Sequence, residues 1–102
     1  MQETAVFVVI EVVSVKVPDG LNVYQERASK LILPLGGTAI AVGAKPIDDE
    51  LGFSTLVIQR WPSEGAFRNW LDSEAYQPLN EIRRASATMR VAIVPVSAGL
   101  DL

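Results

Sequence analysis

Few side chains in this chain of 102 residues could do chemistry, because histidine and cysteine are both absent. Glu11 is the one charge in the apolar run Ala5-Val6-Phe7-Val8-Val9-Ile10-Glu11-Val12-Val13. A carboxylate among valines loses hydration, which disfavours its charged form and would suit a general base working near neutral pH. It would equally serve as half of a cross-strand ion pair, with Arg90 as its partner. Tyr24 falls on an apolar stripe of a helical segment. There its phenol would orient a phenolic or carbonyl substrate, or sit in the core with its hydroxyl on backbone or water. Glu11 and Tyr24 are thus the candidates for proton handling.

Ligand binding points to arginines and aromatics. Arg83-Arg84 offers guanidinium forks suited to a carboxylate or phosphate. Neighbouring helical residues point about 100° apart, so at most one of the two faces a pocket. The other reading pairs them on the surface with Glu81, Glu74 or Asp72. Arg60, at the end of a strand, has the same two readings. Trp61, Phe67, Trp70 and Tyr76 cluster around one helix and would wall a planar ligand or simply pack. Arg83, Arg60, Trp61, Trp70 and Tyr76 are the binding candidates.

Other chemistries lack their residues. Ser63 and Ser73 have no histidine base for a conventional triad. Gly36-Gly37 lacks both the further glycine and the following helix of a phosphate-cradling loop. Asp48-Asp49-Glu50 places three acids in a row, where a calcium loop alternates them, so this segment reads as a solvated turn and no metal is expected. No cofactor is expected either. A formal charge of -3, from nine basic and twelve acidic residues, offers no basic surface for nucleic acid. No apolar run approaches the ~20 residues of a membrane helix. An acid rather than a base lies close behind Met1, which argues against a secretory leader and predicts a cytoplasmic protein.

The elements that must position these residues follow from the apolar pattern. The chain reads as one domain over 1–102, with 97–102 a polar tail. Ala5 to Val13 is a β-branched strand. Pro18-Asp19-Gly20 opens a helix in which Leu21, Tyr24, Ala28, Leu31, Ile32 and Leu35 recur at helical spacing. Pro34 ends it, and Gly36-Gly37 supplies a left-handed stop. Thr38 to Ala44 and Phe53 to Gln59 are strands flanking the acidic turn. Ser63 caps a second helix that buries Ala66, Phe67, Trp70 and Leu71. Asp72 to Tyr76 interrupts it, Pro78 starts a further short helix, and Thr88 to Val96 is the fourth strand.

This order, βαββαβ with a broken second helical region, predicts an α+β ferredoxin-like fold: a four-stranded antiparallel sheet in the order 4-1-3-2 with helices on one face. The strands are apolar on both faces. Phe7, Val9 and Val13 point one way, and Val6, Val8, Ile10 and Val12 the other. The helices cover one face only, so the other would expose more apolar surface than a monomer usually tolerates. At roughly 25 cal/mol per Å², covering about 600 Å² is worth on the order of 15 kcal/mol before association entropy is subtracted. The expectation is a homodimer joined through the sheet face.

The C-terminal half resembles a known family. Trp61-Pro62-Ser63, then Ala66 and Trp70, then Asp72-Ser73-Glu74-Ala75-Tyr76-Gln77-Pro78-Leu79, then Arg83-Arg84 and Ala87-Thr88, is similar to the family called domain of unknown function 1330, within the dimeric α+β-barrel superfamily. Pro18-Asp19, Tyr24 and Gly36-Gly37 agree more loosely. The sequence departs from the family at Glu74-Ala75, where Pro-Glu is usual, at Gln25, where many members have Arg, and at Arg60, where an acid is common. The resemblance implies a ferredoxin-like protomer, a dimeric barrel and no established reaction. Superfamily relatives include cofactor-free quinone-forming monooxygenases, lactone isomerases and haem-handling enzymes; a histidine-ligated haem is excluded here.

Together these readings predict a homodimeric domain that binds a small aromatic or acidic metabolite between sheet and helices. Its chemistry would be cofactor-independent, of oxygenase or isomerase type, with Glu11 or Tyr24 handling the proton and Arg83 anchoring an anion. The alternative is a non-catalytic structural or interaction module. A concave pocket containing Tyr24 and a guanidinium would distinguish the first from the second.

Overall fold

The computed structural model describes residues 4–44, 47 and 55–96. Its elements are β1 (Val6–Val15), α1 (Pro18–Ile32), a 3-10 turn (Leu33–Leu35), β2 (Thr38–Val42), β3 (Thr55–Trp61), α2 (Glu64–Asp72), α3 (Tyr76–Ser86) and β4 (Ala87–Pro95). The sheet is antiparallel in the order β2-β3-β1-β4, the arrangement expected from the sequence.

Boundaries shift where local signals were ambiguous. β1 runs on past Val13 to Val15, because a register shift between Val12 and Ser14 lets it stay paired with β4. α3 begins at Tyr76, two residues before Pro78, since a first-turn proline forfeits only a donor that is unpaired anyway. β3 extends to Trp61, which pairs with Val6. Phe53 and the acidic turn Asp48-Asp49-Glu50 lie outside the described residues.

Termini of the helices follow their sequence. The Ser63 hydroxyl accepts a hydrogen bond from the Ala66 amide at 3.0 Å, so α2 has its cap. α1 ends through Pro34 in the 3-10 turn, and Gly36 takes φ 93°, a conformation that glycine adopts without a side-chain clash. The Gly37 amide then returns to the Ile32 carbonyl at 3.0 Å.

Alternation along β1 decides the two faces. Val6 and Val8 are buried against the helices, in a core shared with Ile32, Trp61, Phe67, Trp70 and Leu79, and Val12 is buried in a second cluster with Leu21 and Ala87. Register places Trp61, Gln59 and Val57 of β3, and Ile93 and Val91 of β4, on that same face. Phe7, Val9 and Glu11 point the other way, beside Ile58, Leu56, Ala92 and Val94. Among the described residues no helix packs there, and Val94 is 44% exposed. Both faces are apolar, and within one chain only one is covered.

No helix among the described residues is long and apolar enough to cross a membrane.

Candidate functional site

The helices do not fill the space above the sheet. Between α1, α2, α3 and the strands lies an open cleft of about 340 Å³. Trp70 and Leu71 of α2, Tyr76, Asn80 and Arg83 of α3, and Tyr24 of α1 form its walls, over a floor that includes Ile10, Gln59 and Met89. The cavity thus contains Tyr24 and a guanidinium, and the helix–sheet interface is not filled solidly there.

Its polar groups converge. The hydroxyls of Tyr24 and Tyr76 lie 3.3 Å apart, with the rings edge-on at 6.5 Å. Tyr76 leans on Trp70 at 4.9 Å between centroids. Burial, and then the hydrogen bond to Tyr76, push the Tyr24 phenol well above its ordinary range, while the Arg83 charge pulls the other way. A phenol held so keeps its proton and is available as a hydrogen-bond donor or acceptor. The Arg83 Nε and Nη2 donate to the Asn80 Oδ1 at 3.0 and 2.7 Å. That fixes the guanidinium on the cleft wall and leaves three of its five N–H groups for a ligand. Arg84 is exposed, as the helical angle between the two arginines requires.

The remaining candidates lie elsewhere. Glu11 is on the uncovered face of the sheet, directly opposite Arg90 in the register. The Arg90 Nε donates to the Glu11 Oε1 at 2.7 Å, and Nη2 also contacts that oxygen. The sheet therefore stands between Glu11 and the cleft. Trp61 is fully buried beneath the sheet–helix layer, packed edge-on against Phe67 at 5.4 Å, with its indole donating to the Gln59 Oε1 at 2.9 Å. It does not line the cleft. Arg60 borders a separate, more open concavity with Thr38, Ile40 and Pro62, and Trp61 lies at its base.

Asn80, Gln59 and Met89 are not among the residues that the sequence singles out, yet all three line the cleft. A signal exists for Asn80, which precedes Arg83 by three residues and so shares its helix face. Gln59 carries one too, as the polar residue at an inward position of a strand. Met89 carries none. Among the described residues, no three Asp or Glu side chains come together as a metal site.

The fold and cleft define the chain as an α+β, ferredoxin-like domain with an aromatic and guanidinium-lined pocket between helices and sheet. It belongs to the family described as Domain of unknown function (DUF1330), whose model matches residues 5–97. Solved structures with the same fold include the RPA0582 protein of Rhodopseudomonas palustris, a protein of unknown function, in its methylated form. That chain has 17% identity and a TM-score of 0.75, covering 97% of this chain and 86% of that one. They also include SnoaB, a cofactor-independent oxygenase from Streptomyces nogalater, with 18% identity and a TM-score of 0.67, covering 98% of each chain. A putative antibiotic biosynthesis monooxygenase from Bacteroides thetaiotaomicron follows at 12% identity and a TM-score of 0.55, covering 98% and 96%. No curated protein matches the chain. At these identities the likeness is one of fold.

Proposed function

We propose that this domain binds a small planar aromatic molecule carrying an acidic oxygen in the cleft, and converts it without a cofactor through the molecule's own enolate or phenolate. The observation that carries this reading is the convergence of Tyr24, Tyr76 and Arg83 on one cavity walled by Trp70. A guanidinium and phenol donors in a partly desolvated site favour the anion of a bound phenol or enolisable ketone. No carboxylate among the described residues lines the cleft, so the proton leaves to water at its open mouth. With dioxygen as co-substrate, a ring CH2 becomes C=O and water is released. Without it, reprotonation at another carbon gives an isomer. The fold shared with the oxygenase SnoaB supports the first outcome by analogy.

The homodimer belongs to this proposal. A face that presents Phe7, Val9, Ile58, Leu56 and Val94 without a covering helix suits a second copy laid sheet to sheet. A cytoplasmic location belongs to it as well. The competing reading, a non-catalytic module, is favoured by one observation: the polar groups of the cleft are already engaged within the chain, one phenol donating to the other and Arg83 donating to Asn80.

A thermal-shift and oxygen-uptake screen with 1-naphthol and anthrone tests the proposal. Ligand at a hundred times its Kd stabilises by about 2.7 kcal/mol, which a melting curve resolves easily. Stabilisation by both, with oxygen consumed only for anthrone, is the expected result. A flat response to both compounds refutes a phenol or enolisable ketone as the ligand and favours the module.

A further inference from the structure

A second cavity adjoins the cleft at Tyr24. This chamber of about 170 Å³ lies between α1 and the β2–β3 edge, and shares Ile10, Tyr24, Ala28, Gln59 and Met89 with the first. Its own additions are Val12, Ala39, Val42 and Val57 from the strands and the uncharged polar Gln25 and Ser29 from α1, and no charged side chain among the described residues lines it. The first chamber therefore holds a guanidinium and an amide, and the second is mainly aliphatic. Tyr24 stands at the boundary, its hydroxyl turned to Tyr76 on the charged side. A single-ring ligand held by Arg83 would occupy the first chamber and leave the aliphatic one to water, forgoing the burial of its apolar wall.

We propose, resting on the binding reading above, that the ligand is an elongated monoanion: a carboxylic acid whose acid group meets Arg83 and whose apolar body passes Tyr24 into the second chamber. Arg83 suits a carboxylate because its planar fork retains free N–H groups after Asn80 is served. Tyr24 then measures length. Its ring flanks the body of the ligand, and its position decides how far that body reaches toward Ala39 and Val57.

The test is a binding series by calorimetry with benzoate, 2-naphthoate and anthracene-2-carboxylate, and with 2-naphthamide as the uncharged control. Affinity is expected to rise about tenfold with each ring as apolar surface is buried, and 2-naphthamide should bind at least about tenfold more weakly than 2-naphthoate. Val57→Phe fills the second chamber, so it should remove the gain from naphthoate to anthracene-2-carboxylate and leave benzoate unchanged. Ala39→Phe does the same from the neighbouring strand β2, should the first variant not fold. Arg83→Gln should weaken all three acids and erase the difference between acid and amide. Equal affinity along the series, or an unchanged series in both chamber variants, overturns the elongated ligand. An amide that binds as tightly as its acid overturns the anion. Binding of 1-naphthol tests the earlier reading separately: if it binds while the acid series shows no gain, only the present inference falls. If no compound binds, both fall.

Discussion

The hydroxyls of Tyr24 on α1 and Tyr76 on α3 meet at 3.3 Å across 52 residues of sequence, and this contact ties the first helix to the third where the cleft opens. One of the two phenols donates to the other. Tyr76 is only 6% exposed, so its hydroxyl has few alternatives.

Tyr24→Phe should therefore cost about 1–2 kcal/mol, a lost hydrogen bond plus a buried hydroxyl left unpaired. Tyr76→Phe should cost about the same. The double variant should cost less than the sum, because neither hydroxyl is then stranded. Urea unfolding of the three variants measures this coupling, and strict additivity would show that the two phenols act independently.

Stability at alkaline pH should report the same residue. The Tyr24 phenol ionises later in the folded chain than in the unfolded one, mainly through burial. Below the ordinary tyrosine value of about 10 both states hold the proton, and the contribution to stability is complete. Above it the unfolded chain releases the proton first, so stability falls with rising pH by about 1.4 kcal/mol per pH unit until the folded phenol also ionises. Denaturant titrations between pH 9 and about 11.5 should show this slope. Tyr24→Phe should be flatter by one proton over the same range.

Glu11 and Arg90 give a test of the uncovered face. Their side chains are 25% and 75% exposed in the single chain, where such a pair is worth about 0–1 kcal/mol. Covered by a second copy, the pair would lose water, and removing one partner would leave an uncompensated buried charge. Glu11→Gln should then weaken the dimer by about tenfold or more in sedimentation equilibrium, while ligand binding in the cleft stays within about twofold. A dimer unaffected by the substitution would place the interface away from this pair.

Gly37 marks a close approach to the core. A Cβ there would stand 2.6 Å from the Trp61 indole, which is fully buried and has nowhere to move. Gly37→Ala should destabilise the domain by about 1–3 kcal/mol, the usual range for overpacking. Thermal melting checks it, and a Tm indistinguishable from wild type would mean that β2 shifts freely.

Much of the fold is legible from local pattern. Pro18, Gly36 and Ser63 each sit where helix geometry needs them, and the β-branched run around Val8 admits little but a strand. The two apolar faces of β1 follow from side-chain alternation alone. The cleft is less legible. Residue type and helical spacing mark Tyr24, Trp70, Tyr76 and Arg83, but Trp61 carries the same aromatic signal and is buried away from the cleft. Its type cannot tell packing from lining, because that depends on what the facing helix leaves empty.

Glu11 shows the limit most directly. Its charge and apolar neighbours are plain in the sequence, and the ion pair with Arg90 is foreseeable once strands one and four are adjacent. Which face of the sheet it occupies relative to Tyr24 is not. Composition and periodicity determined the element types, their order and the absence of histidine and cysteine chemistry, since those depend on residues and near neighbours. The tertiary structure alone decided which candidates share a cavity, because a strand sends successive side chains to opposite sides. A single step along the chain therefore separates residues by the full thickness of the sheet.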